Sequence, residues 1–216
     1  MKTILMMGTA LGLMACGNTS VEAQDVPRTE VLAATGETAT AVFAGGCFWC
    51  TEMDFEAVPG VIEAVSGYTG GTTENPTYKQ VGTNTTGHYE AVEVTYDPSQ
   101  VSYADLVDYY WRTVDPTDAR GQFCDKGESY RTAVFVTEDQ RAVAEASLEA
   151  LEADKPFSDP IVTPILAAQT FYDAEGYHQD YYKTNPLRYK LYRTGCGRDA
   201  RLKKLWGEDA GMFSAG

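Results

Sequence analysis

Hydrophobic and polar positions along the chain switch between two spacings, and the switches mark the elements. Ala41-Val42-Phe43-Ala44 is a short apolar run ending at Gly45-Gly46, with the length and punctuation of a strand. From Cys47 to Val58, apolar Phe48, Phe55 and Val58 recur at roughly helical spacing before Pro59-Gly60; this predicts a helix with Cys47 at or near its N-terminus. Val61 to Tyr68 reads as a second strand, and Gly67 through Pro76 as a turn-rich loop. Ala91 to Tyr96 alternates as a half-buried strand closed by Asp97-Pro98. Ser102 followed by Asp105 has the form of a helix cap, with Tyr103, Leu106, Val107, Tyr110 and Val114 on one face. Arg131 to Thr137 predicts another strand, and Glu138 to about Ala153 an alanine-rich helix with Ala144, Leu148 and Leu151 inward. Ile161 to Ala168 predicts a last strand, placed on an edge by Pro164. From Tyr172 the chain is aromatic and basic, with one helix-like turn near Tyr177 to Thr184. This alternation describes a mixed α/β or α+β layer structure with one sheet.

The first forty residues follow neither spacing. Lys2, then an apolar stretch from Ile4 to Ala15, then small residues have the build of a secretory signal and are too short to span a bilayer. Leu13-Met14-Ala15-Cys16 resembles the lipobox of bacterial lipoproteins, in which the signal is cut before an acylated cysteine, although Met14 stands where a small residue is usual. Cleavage after Val21-Glu22-Ala23, with loss of Cys16, is the alternative. Both imply export; the first implies a periplasmic protein lipid-anchored through Cys16. Residues 17–40 are polar and poor in aromatics, the composition of a flexible tether. The expected organisation is a signal over 1–15, a tether over 16–40 and one domain over 41–216.

Composition adds limits. A chain of 216 residues with 44% hydrophobic side chains suffices for one core-bearing domain. A net charge of −14 without a basic block argues against nucleic acid as a partner, and against a membrane except through a lipid anchor. Nothing in the pattern calls for an oligomer, and a monomer is expected.

Five cysteines in an exported chain suggest disulfides. Beyond Cys16, however, Cys47, Cys50, Cys124 and Cys196 are widely spread except for the first two. One C-x-x-C with only His88 and His178 does not give a structural zinc spacing, so no metal is expected. Cys47 follows Gly45-Gly46 at a predicted helix start, where free N–H groups favour a thiolate; the glycines would let substrate or backbone approach closely.

Gly46-Cys47-Phe48-Trp49 resembles the signature of the A-type peptide methionine sulfoxide reductases. The resemblance continues in order through Gly67-Tyr68-Thr69-Gly70-Gly71, Asn75-Pro76-Thr77-Tyr78, Gly87-His88-Tyr89-Glu90-Ala91-Val92, Tyr130-Arg131 and Tyr177-His178-Gln179. It covers roughly Ala41 to Gly207.

The resemblance implies thiol-dependent reduction of methionine S-sulfoxide, in oxidised proteins or free, to methionine. Cys47 would attack the sulfoxide sulfur, Glu90 would supply the proton that its oxygen needs, and the Tyr78 and Tyr130 hydroxyls would hold that oxygen. Phe48 and Trp49 would cradle the methyl group, and Asp125 would order water and contact the substrate backbone. The sulfenic acid formed on Cys47 would be resolved as a disulfide by Cys196, on a glycine-flanked tail able to swing, or by its close rival Cys50. An external thioredoxin-like dithiol would then reduce that disulfide, with no bound cofactor. His88 and His178 would stabilise loops. Cys124 would lie within exchange distance or be buried and inert. The implied fold is an α+β, two-layer ferredoxin-like plait with a mixed sheet, flanking helices and an irregular C-terminal tail.

Cys50, Tyr89 and the Gln122-Phe123-Cys124-Asp125 loop depart from the commonest family pattern, and they leave the recycling route open. Two other readings stand beside the reductase. One is a thioredoxin-like disulfide oxidoreductase using Cys47 and Cys50, and the other is a lipid-anchored binding protein with structural cysteines.

Overall fold

The computed structural model describes residues 36–213; the signal, Cys16 and most of the expected tether lie outside them. The first strand begins two residues before the expected domain start. In chain order the elements are β1 (Ala39–Gly45), α1 (Phe48–Glu56), β2 (Val61–Thr69), α2 (Tyr78–Val81), β3 (Tyr89–Tyr96), α3 (Tyr103–Thr113), β4 (Gly121–Gln122), β5 (Asp125–Lys126), β6 (Thr132–Val136), α4 (Glu138–Asp154), β7 (Ile165–Ala167), β8 (Tyr172–Asp173), α5 (Tyr181–Thr184), α6 (Pro186–Gly195) and α7 (Arg198–Trp206).

The main sheet has the order β7-β6-β1-β3-β2-β8. Its inner four strands, β6-β1-β3-β2, are antiparallel neighbours. With α1 and α3 they make the β-α-β-β-α-β plait. β7 adds parallel to β6 and makes the sheet mixed. Side-chain alternation sets the layers. Ala41 and Phe43 of β1, Val92 and Val94 of β3, and Val134 and Val136 of β6 face the main core under the helices. Ala44, Ala91, Ala133 and Phe135 face the opposite side, where Leu166 and Phe171 cover them. The core is built from Val, Phe, Tyr, Trp and Leu; among the described residues, no methionine is buried in it.

The predicted elements fall where their patterns place them. Ser102 caps α3 with a reciprocal Asp105 bond, and Leu106, Val107, Tyr110 and Val114 are buried. Trp111 is buried as well, on a side of α3 where its Nε1–H donates to Ser147 Oγ of α4 at 3.0 Å. β7 is the edge strand that Pro164 demanded, but it covers only Ile165–Ala167 and is not the last, because β8 follows and takes the other edge.

The C-terminal region departs from the expected irregular tail: it folds into α5, α6 and α7. Pro186 occupies the first turn of α6, where its missing N–H is no loss. Tyr181 and Tyr189 are anchored beside Cys50. Leu202, Leu205 and Trp206 of α7 enter the main core, with Trp206 Nε1–H donating to Val114 O at 3.1 Å. The small β4–β5 hairpin and α2, capped by Thr77 and Gln80, carry no sequence period long enough to read.

Candidate active site

The turn from β1 into α1 creates the site. Gly46 has φ +85°, and a Cβ there would lie 2.5 Å from Gln122 Cβ, so only glycine fits. A Cβ on Gly45 would meet Thr51 Oγ1 at 2.5 Å. Both glycines therefore make room for the protein's own side chains rather than for substrate.

Cys47 follows as the N-cap of α1. The first helical N–H, that of Phe48, donates to Glu90 Oε2 of β3 at 3.1 Å, so a carboxyl occupies the position where a helix end favours negative charge. Burial of Glu90 outweighs that bond. It raises the pKa to about 8, helped by the nearby Asp125 charge and opposed by the Phe48 and Tyr130 hydrogen bonds. Glu90 thus holds its proton at neutral pH.

A cleft of about 270 Å³ opens beside these groups, lined by Cys47, Phe48, Trp49 and Glu90 together with Tyr78, Asp125, Tyr130 and Tyr192. The structure brings the expected catalytic and substrate-binding residues to this one place. The Tyr78 and Tyr130 hydroxyls are hydrogen-bonded to each other, and Tyr130 also to Glu90. Burial pushes both phenols up, which keeps them as donors. Trp49 stacks on Tyr181 with centroids 3.8 Å apart, and its Nε1–H donates to His178 Nδ1 at 3.1 Å. His178, read from sequence as a loop stabiliser, supports an active-site wall instead. Burial lowers its pKa, which suits a neutral acceptor. His88 does hold a loop, through the Gly71 N–H at 3.1 Å and Thr73 O at 2.8 Å.

Tyr192, with no signal in the sequence, is the added member. Its hydroxyl donates to Asp125 Oδ2 and lies in the cleft beside Cys47, whose pKa it lowers. Only the folding of α6, absent from the sequence pattern, brings it there.

The cysteines form two pairs. Cys47 and Cys50 are free, buried and hydrogen-bonded to one another. Burial pushes the Cys47 thiol well up, and Cys50 adds to the rise. The hydrogen bond from Cys47, with the positive charges of Arg198 and Arg193, lowers Cys50 to about 7. Cys50 is therefore the more easily ionised of the two, and the acidifying surroundings expected for Cys47 fall one turn further along the helix. Cys124 and Cys196 form a disulfide. This corrects the expectation of Cys196 as a free thiol on a swinging tail, since it is bonded at the end of a packed helix. Cys124 is exposed and bonded to Cys196, not buried.

Away from the cleft, the carboxylates of Glu52, Glu56 and Asp180 converge. Lys183 Nζ already lies 2.5 Å from Glu56 and 2.7 Å from Asp180, so a side-chain ammonium takes the cation position.

Residues 39–210 match the family described as peptide methionine sulfoxide reductase. The chain is 61% identical to peptide methionine sulfoxide reductase MsrA 2 of Caulobacter vibrioides, over 81% of this chain and 88% of that protein. It is 54% identical to the MsrA of Bacillus subtilis, over 77% and 95%. Among solved structures, methionine sulfoxide reductase A of Corynebacterium diphtheriae superposes with a TM-score of 0.63 at 34% identity, covering 72% of this chain and 79% of that one. Reduced Mxr1 of Saccharomyces cerevisiae superposes with a TM-score of 0.63 at 30% identity, covering 69% and 87%. A protonated carboxyl, a paired-tyrosine cradle and a buried cysteine at one helix start, on a chain this similar to A-type enzymes, place it among them: the chain belongs to the peptide methionine sulfoxide reductase family and is a peptide-methionine (S)-S-oxide reductase.

Proposed function

We propose that Cys47 is the nucleophile, Glu90 the acid and Cys50 the resolving thiol. The observation that carries this is the buried, protonated Glu90 held at the Phe48 N–H beside Cys47. Cys50, the more acidic of the two, takes the Cys47 proton when it is in its thiolate form. The Cys47 thiolate then attacks the sulfoxide sulfur. Glu90 protonates the oxygen, with Tyr78 and Tyr130 donating to it, and oxide is never expelled unprotonated. Phe48 and Trp49 face the sulfonium-like charge that develops on sulfur. Asp125 orders water and contacts the substrate backbone.

Methionine leaves reduced by two electrons, and Cys47 is left as a sulfenic acid. Cys50, again ionised, attacks the Cys47 sulfur and displaces water, forming a disulfide that an external thioredoxin-like dithiol reduces. The proximity of Cys50, and the engagement of Cys196 with Cys124, favour this route over resolution by Cys196.

The leader and Cys16 support a further reading. Residues 1–15 act as a lipoprotein signal, 16–40 as a tether, and the enzyme repairs oxidised proteins and free methionine sulfoxide in the periplasm of a bacterial envelope.

The test is turnover of the two methionine sulfoxide epimers, offered separately with dithiothreitol. Loss of the S form alone, abolished by Cys47→Ser, is expected. Cys50→Ser should still release one methionine while leaving a Cys47 sulfenic acid that dimedone captures. No turnover of either epimer by a folded, reduced sample would overturn the proposal.

A further inference from the structure

We infer that the Cys124–Cys196 disulfide is a positioning element of the active site, tying the β4–β5 turn to the end of α6 and so holding Asp125 and Tyr192 against Cys47. The inference rests on the reading of Cys47 as the nucleophile.

Cys124 ends the β4–β5 turn next to Asp125, the first residue of β5, and Cys124 Sγ lies 3.7 Å from Asp125 Oδ1. Cys196 lies one helical turn beyond Tyr192, and its N–H donates to Tyr192 O at 2.9 Å. The disulfide therefore joins the immediate neighbours of the two residues that meet over Cys47. The hairpin is anchored on its β4 side, where Gln122 is buried and bonded to Asp115 and Phe123 packs on the core under the Arg198 guanidinium; on the Cys124–Asp125 side it reaches α6 through the Tyr192 hydrogen bond and the disulfide. Its strands are two residues each, and Phe123 in its turn has φ +53°. Among the described residues no sheet or helix ladder connects it to α6; the Tyr192–Asp125 hydrogen bond and the disulfide do, and the covalent bond is the one that limits the separation at which Tyr192 reaches Asp125 beside Cys47. A shift of about 1 Å in such a contact is enough to impair chemistry.

The bond is also addressable. Cys124 is exposed whereas Cys47 and Cys50 are buried. A solvent dithiol can open it by thiol exchange, being oxidised to its own disulfide while Cys124 and Cys196 each gain a hydrogen.

Cys47 faces Cys50 from its own helix, Glu90 from β3, Tyr78 from α2, Asp125 and Tyr130 across the cleft, and Tyr192 from α6. Of these, Tyr192 is the one whose contact lowers the Cys47 pKa. Opening the bond is therefore expected to make the Cys47 thiolate harder to form.

The experiment compares two states of the full chain. One has Cys47 and Cys50 as its only free thiols besides any at Cys16, and the other has Cys124 and Cys196 opened as well by brief dithiothreitol treatment followed by gel filtration. Thiols are located by alkylation and mass spectrometry. Opening should raise the pH midpoint of Cys47 alkylation by about one unit, as expected for the loss of one contact that favours the charged form. It should also raise, several-fold, the methionine S-sulfoxide concentration that half-saturates a single turnover. Tyr192→Phe should shift the alkylation midpoint the same way, with no further shift on opening. Cys124→Ser/Cys196→Ser should behave as the opened state.

Superimposable alkylation and turnover curves in the two states, with only the melting temperature lowered, would make the bond an ordinary staple and overturn the inference. So would a four-thiol chain that releases two methionines at an unchanged rate, since the pair would then be supplying electrons. Failure of both states to form methionine would instead sink the nucleophile reading, while the alkylation profile would still report on the bond.

Discussion

Burial of the Glu90 carboxyl, opposed by the Phe48 N–H, moves its pKa from 4.5 to about 8, and the shift has a stability sign as well as a catalytic one. Between these values the folded chain holds a proton on Glu90 that the unfolded chain has lost. Stability therefore falls as pH rises from about 4.5 to about 8, and this contribution is flat outside that window. Glu90→Gln removes the titration and keeps an oxygen to accept the Phe48 N–H. The variant should melt close to the wild type at pH 4.5 and above it at pH 8, while single-turnover methionine formation falls by about 10²- to 10⁴-fold. Thermal melts at the two pH values, paired with rapid-quench turnover, check both halves. A gap in melting temperature that does not widen with pH would contradict the burial argument. Read from the chain alone, Glu90 at the start of a strand looks like a solvated charge, because burial is a property of what packs on it. The family motif made it a candidate, and no local pattern would have.

α7 reaches back to the catalytic turn through one side chain. Arg198 is 2% exposed and donates to Gly45 O at 3.1 Å and Thr113 O at 2.7 Å. Its guanidinium lies 3.5 Å from Asp54 of α1, which also pairs with Arg193 of α6 at 2.8 Å. Four helices, α1, α3, α6 and α7, and the end of β1 are thus joined through buried charge. Arg198→Met leaves Asp54 with one cation and two carbonyls without their donor, and is expected to cost about 3–5 kcal/mol. The check is a urea titration in which the midpoint falls while the slope is kept. A loss within 0.5 kcal/mol would show that the carbonyls and Asp54 find other partners. The elements around this network separate what the chain makes legible from what it does not. β1, α1, β3, α3, β6 and α4 carry long periodic patterns or caps, and they form where those predict. α6 and α7 are short and mostly polar outside their anchors. Their stability comes from Tyr189, Leu202 and Trp206 docking onto surfaces that exist only once the sheet is built.

The site itself exists only at the scale of the whole molecule. Phe48 meets Glu90 across 42 residues, Tyr192 meets Asp125 across 67, and Trp49 meets His178 across 129. Spacing along the chain indicates which residue types are present but not which of them meet. That is why spacing alone ranks Cys196 above Cys50 as the partner of Cys47 and leaves Cys196 on a free tail. The proposed anchor belongs to this scale too, since β1 begins well after Cys16. Expressed in a bacterial host with labelled palmitate, the full chain should carry label and sediment with membranes. Cys16→Ser should be unlabelled and turn over sulfoxide at the same rate. Label that persists in Cys16→Ser, or never enters the full chain, would overturn the anchor. One trait of the core bears on the setting of such an enzyme. Four of its six methionines precede Cys16; of the two that remain, Met53 is half-buried and Met212 is exposed. Among the described residues, oxidants that turn methionine polar find none in the main core to swell or loosen, and only Met53 at the edge of the Tyr181–Tyr189 cluster. The catalyst of repair is thereby spared from becoming its own patient, and the oxidative load falls on sulfurs that its thiol chemistry is built to restore.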